Sequence, residues 1–236
     1  MDQSRSTVTA NGWNPSLQYV NTTLYEPVIR DGIDSGKYRF AVGAFSDEAS
    51  LFCDFNDFDR ARTTPNALNE YLTHTVFNPD GTYIRPPTFQ SGVPFRQTDF
   101  LLGMDGMGAA FGNVASGYRN NTRPIVIIVT DGLIRGQDSY IYDEMGCGLV
   151  DDTDVAMDAT VACVLGRVEE RVLLYEQELG VLIRVVGLDY GNGVDLSPTG
   201  NLHTMTGQNG KLLGNSTLSD LLTAMPTKTA ESIYSH

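Results

Sequence analysis

Apolar positions along this chain recur with two different periods, and the alternation between them predicts the fold. Leu17, Val20 and Leu24 lie three and four apart, the spacing of one helical face, and Asn14-Pro15 ahead of them reads as an N-cap with Pro at the first helical position. Pro27 predicts a kink or an end to that helix, and Asp31 to Gly36 is turn-rich. Strands are expected over about 38–46 and 49–55, followed by a short helix from Thr64-Pro65 to about Thr73. Phe77 to Gln97 contains Asn78-Pro79-Asp80-Gly81 and Pro86-Pro87, which read as turns within an irregular excursion. A helix is then predicted over 99–117, a β-branched strand over 125–130 and a long loop from Leu133 to Asp152.

The longest helix is expected over 153–179. Its stripe of Val161, Leu165, Val168, Val172, Tyr175 and Leu179 fits packing against a sheet better than a coiled coil. A strand at 181–187, a short helix at 201–206, a weak strand at 210–213 and a last helix from Thr217 complete the pattern. Strands alternating with helices imply an α/β fold, a mostly parallel central sheet with helices on both faces. No repeat, low-complexity segment or linker interrupts the 236 residues, so one domain is expected.

Charge narrows the function classes. The formal net charge of −13 argues against nucleic acid and against an anionic membrane surface, because Lys and Arg are few and scattered. No apolar run is long enough to cross a bilayer, and the opening residues do not read as a signal peptide. Cys147 lies in a Gly-rich loop and can pair with Cys163, although sequence alone does not fix connectivity; Cys53 falls in an expected strand, where free buried thiols are common. Glycosylation sequons occur at Asn21, Asn120 and Asn215. His74, His203 and His236 accompany no plausible nucleophile. Gly103, Gly106, Gly108 and Gly112 do not sit between a strand and a helix in the order a dinucleotide loop needs, and small-residue packing accounts for them better. Asp151, Asp152 and Asp154 read first as a solvated loop with a helix cap, and only second as a cation site.

The candidate chemistry lies in Asp2, Ser4 and Ser6, whose alternating oxygens project to one side of an extended loop. Thr98 adds a hydroxyl before a helix, and Asp131 adds a carboxylate where the run Ile125 to Thr130 meets Gly132. Oxygen-only ligands suit a hard divalent cation, Mg²⁺ before Mn²⁺ or Ca²⁺. Two carboxylates balance one such ion, and the neutral hydroxyls leave it electrophilic enough to accept an anionic oxygen from outside.

This ordered set, D-x-S-x-S followed by a distant Thr and a strand-end Asp, resembles the metal-ion-dependent adhesion site of the von Willebrand factor type A family, which includes the inserted domains of integrins. Tyr38 to Ser46 and Val181 to Gly187 are similar to two of that family's strands, and the order of elements follows the family from Asp2 to about Leu222. The resemblance implies a Rossmann-like fold over 1–236, with Ser4 and Ser6 as direct ligands. Asp2 and Asp131 would be water-mediated or switching ligands, and Thr98 would respond to conformation. Arg5 stands where many members have Gly, which bears on ligand affinity more than on metal geometry.

The implied function is metal-dependent binding of a protein partner through an exposed Asp or Glu, with no catalysis, in an extracellular or cell-surface setting. The alternative is an intracellular assembly or chaperone-like module that grips a partner subunit through the same site, in the cytoplasm. In the family, a buried central strand leads directly into the first Asp. Only Met1 precedes Asp2 here, so that strand is expected from upstream sequence of a longer protein or from another chain. Without it, residues 1–236 are expected to aggregate or to unfold without cooperativity.

Overall fold

The structure is a computed structural model and describes residues 1–2, 13–45, 49–55, 99–112, 114–132, 146–147, 154–188, 201–216 and 218–234. Helix α1 (Trp13–Tyr25) starts around the expected Asn14-Pro15 signal and stops before Pro27. Pro27 then opens a second helix, α2 (Pro27–Asp34). The turn expected over 31–36 is therefore corrected, since most of it is helical. Pro at N1 sets the entry, Ile29 and Ile33 bury themselves four residues apart, and Gly36 at a φ of 74° ends the helix.

Strands β1 (Val42–Phe45) and β2 (Ala49–Cys53) form an antiparallel pair, with Phe45 opposite Ala49 and Val42 opposite Cys53. Helix α3 (Phe100–Gly112) follows, and the Asp99 carboxylate accepts a hydrogen bond of 2.9 Å from the Leu102 amide as its cap. It is shorter than expected and gives way to a 3₁₀ turn (Val114–Ser116). The Ser116 hydroxyl there donates to the Ala110 carbonyl at 2.7 Å.

The second sheet is three parallel strands, β3 (Ile125–Thr130), β4 (Leu182–Leu188) and β5 (Lys211–Ser216), with β4 in the middle. Helix α4 (Asp154–Leu179) makes the crossover that parallel pairing of β3 and β4 demands. The short α5 (Asn201–Thr204) lies between β4 and β5, and α6 (Leu218–Thr223) and α7 (Met225–Tyr234) follow β5. The expected helix of 64–73 and the excursion of 77–97 lie outside the described residues.

Alternation along β3 and β4 divides the core into two layers. Val126, Ile128, Ile183 and Val185 pack with Val164, Val168 and Val172 of α4 on one face. Val129, Val186 and Leu188 pack with Tyr19, Leu221 and Met225 on the other. Each fully buried Val or Leu of these layers contributes roughly 1.5–3 kcal/mol relative to exposure. An α/β architecture with helices against both faces of a parallel sheet is thus observed. Three of the four α3 glycines, Gly103, Gly106 and Gly108, are packing positions, as read from the sequence. A Cβ at Gly103 would meet the Phe45 ring at 2.8 Å, one at Gly106 would meet the Ala49 Cβ at 3.0 Å, and one at Gly108 would collide with the Tyr175 ring. Gly112 has nothing near it.

Candidate metal centre

Met1 and Asp2 lie between the two sheets and join them at one end. The Met1 amino group donates to the Gly43 carbonyl at 2.9 Å, the Phe45 amide donates to the Met1 carbonyl at 3.1 Å, and the Asp2 amide donates to the Val129 carbonyl at 2.8 Å. Asp2 forms a parallel bridge with Phe45. Burial pushes the Met1 ammonium down to about 6, opposed by the charge of Asp2.

These bonds carry the Asp2 side chain to the C-terminal end of β3. Its carboxylate is buried and accepts a hydrogen bond of 2.6 Å from the Thr130 hydroxyl. The same hydroxyl oxygen accepts the Gly132 amide at 3.0 Å. Thr130 therefore ties the first carboxylate to the turn that carries Asp131, whose side chain is also buried. Gly132 takes a φ of 67°, and a Cβ there would meet Leu202 at 2.5 Å, so this turn requires glycine. The C-terminal end of parallel strands is where open α/β sheets place their ligands.

Asp2 and Asp131, read from the sequence as ligands, are both buried at the C-terminal end of β3. Ser4, Ser6 and Thr98 lie outside the described residues. The two residues after Thr98 are described: Asp99 caps α3, and the Phe100 ring lies 5.5 Å from that of Phe45, the residue bridged to Asp2. Thr130 is the member that sequence reasoning missed. Its only signal is a hydroxyl at the last position of a buried strand, directly before the carboxylate. Two carboxylates with neighbouring hydroxyls fit a hard cation, which favours oxygen donors. Among the described residues no group of three or more His, Cys, Asp or Glu side chains could hold a metal. Asp151 and Asp152 lie outside the described residues, as do His74 and His236.

Cys147 and Cys163 form a disulfide with Cα atoms 5.7 Å apart, which fastens a residue of the segment following Asp131 to α4. Among the described residues no helix is long and apolar enough to cross a membrane.

No protein-family model matches the chain. No curated protein matches it. Among solved structures it is similar to proximal thread matrix protein 1 from the mussel byssus, at 16% identity with a TM-score of 0.57, covering 97% of this chain and 44% of that one. A second crystal form of the same protein gives 16% identity, a TM-score of 0.50, and coverage of 97% and 45%. The chain spans less than half the length of that protein, and at this identity the likeness is one of fold.

Proposed function

We propose that this chain is a von Willebrand factor type A-like module that binds a protein partner through a divalent cation. Mg²⁺, with Mn²⁺ or Ca²⁺ as substitutes, is held by Asp2, Ser4, Ser6, Thr98 and Asp131, and an Asp or Glu of the partner completes its coordination. The observation that carries this reading is the Asp2–Thr130 hydrogen bond, which draws the N-terminal carboxylate to the strand end that bears Asp131. Two buried carboxylates brought to one strand end favour a counter-cation. A cation balanced by only two charges retains attraction for a third carboxylate. The Cys147–Cys163 disulfide favours an oxidising, extracellular or cell-surface setting over the intracellular assembly role. We read the module as binding rather than catalysing, since among the described residues no further titratable side chain is placed beside Asp2 and Asp131 to serve as a general base.

Calorimetric titration of the chain with Mg²⁺ or Mn²⁺ tests the reading. One site is expected, absent in Asp131→Ala and weakened in Thr130→Val. Equal metal binding by wild type and Asp131→Ala overturns it. Capture on immobilised chain should then depend on Mg²⁺, and a partner retained equally in EDTA would contradict the role given to the cation.

A further inference from the structure

Three cations gather where the strands of the parallel sheet begin, at the edge opposite the one that carries Asp131. Arg123 stands two residues before β3, and the Leu182 amide donates to the adjoining Pro124 carbonyl at 3.0 Å, which holds that segment against the start of β4. Arg184 follows on β4, in register with Ile127 on one side and with Lys211, the first residue of β5, on the other. Partners in register project to the same face of a sheet, so Arg184 and Lys211 lie side by side. Arg184 is 1% exposed, whereas Arg123 and Lys211 are open to solvent. The Arg184 guanidinium has one acceptor, the Ile183 carbonyl at 3.2 Å, and its Nε donor has none. Among the described residues no carboxylate pairs with any of the three cations, although the chain carries a formal charge of −13. The Glu176 carboxylate reaches the turn before β5, but there it accepts the Gln208 and Asn209 amides at 3.0 and 2.9 Å. Burial and then the Arg123 charge push the Arg184 pKa down, so the neighbouring cation adds to the cost of burial. Arginine does not escape that cost by losing its proton, and a charge buried without a counter-charge is strongly unfavourable.

We propose that Arg184, Arg123 and Lys211 form a binding site for a tetrahedral oxyanion, a sulfate or phosphate group, seated against the buried guanidinium. The unused Nε donor is the observation that carries it. Nε and an Nη of one guanidinium make a planar fork that matches two oxygens of such a group. Arg123 and Lys211 flank the entry and supply charge for its remaining oxygens. A halide offers no pair of oxygens to the fork, and a carboxylate brings one charge to a place where three cations meet. The site shares no residue with the candidate metal centre and does not depend on the metal reading.

The test follows backbone amide NMR shifts of the chain as sodium sulfate or sodium phosphate replaces sodium chloride at constant ionic strength. EDTA is present throughout, so no response can come from a cation at Asp2 and Asp131. Shifts are read instead of melting temperatures because both anions stabilise proteins in general. The amides of Arg123, Ile183, Arg184 and Lys211 should move together along one saturating isotherm. Arg184→Met should abolish it, and Arg123→Ala should weaken it several-fold. Lys228→Ala, which removes an exposed cation of α7, should leave it unchanged. Shifts that fail to saturate in the wild type overturn the proposal, as does equal weakening by Lys228→Ala and Arg123→Ala. If Arg184→Met does not fold, the double variant Arg123→Ala, Lys211→Ala decides, since both residues are exposed; an isotherm unchanged in it overturns the site. Methyl sulfate and methyl phosphate distinguish the source of the group. Binding that matches the inorganic ions supports a site for a group carried on a larger molecule, and binding by the inorganic ions alone supports a site for the free anion.

Discussion

The sheet around β4 and the hairpin of β1 are built from the same kinds of residue, yet among the described residues only the former is closed. Around β4, Val185, Val186 and Leu188 are fully buried, Val185 and Val186 are paired on both edges, and Leu188 is paired with β5. Between β1 and β3, residues as apolar as Val42 and Ile127 border a cavity, and two ladder residues at one end hold the halves together. Apolar composition therefore does not by itself make a core; a paired backbone on both edges is also needed. The candidate metal centre lies at the join. Asp2 comes from the open side and Asp131 from the closed side, so whatever tightens the join also fixes the distance between the carboxylates.

The comparison breaks most readily in the closed half. Leu188→Ala should cost roughly 2–5 kcal/mol, measured by urea unfolding. Ile127→Ala, bordering the cavity, should cost less than half as much; equal losses would mean that the two halves are packed alike. Next comes the covalent tie on α4. Cys163→Ser should lose roughly 3 kcal/mol, the value expected when a loop of this size, sequence separation 16, is no longer closed in the unfolded chain. The same loss should follow reduction of the wild type, and a loss in only one of the two experiments would point to strain from the substitution.

The smallest effect is confined to alkaline solution and reports on the lid of the cavity. The Tyr19 hydroxyl lies 2.7 Å from that of Thr229, joining α1 to α7. Burial pushes its pKa up to about 12, partly opposed by hydrogen bonds with Thr229 and Thr23. The folded value exceeds the unfolded one, so its contribution is fully present below about pH 10 and is lost as pH rises through about 12. Tyr19→Phe should flatten that decline relative to wild type in unfolding midpoints taken at pH 9 and 11. Tyr175, also raised by burial, titrates in both chains and cancels in the difference. Parallel declines would mean that Tyr19 is solvated.

Periodicity made the closed half legible. The β-branched run 125–130 and the helix expected over 153–179 correspond to β3 and α4 within a residue, because period and burial agree there. Helix α2 was not legible, since Asp31, Gly32 and Asp34 mimic a turn while Ile29 and Ile33, four apart, decide for helix. Arg184 was not legible either. It is fully buried on β4, donates to the Ile183 carbonyl at 3.2 Å, and has its pKa pushed down by burial and then by Arg123. A charge in mid-strand gives no local hint of such burial. At the candidate site, Asp2 and Asp131 were named together from the sequence because their order resembles the family's motif, and both are buried at the end of β3. Thr130 could not, because its role depends on a contact across 128 positions of chain.

The disulfide also changes what a protease can achieve. A peptide bond cut anywhere between Cys147 and Cys163 opens a covalent ring without parting the molecule, since the fragment bearing β3 stays attached through sulfur to the fragment bearing most of α4. Such a nick would add one water to the intact mass and reveal two pieces only on reduction. A cleavage on either side of the ring would leave two pieces that part on denaturation without reduction.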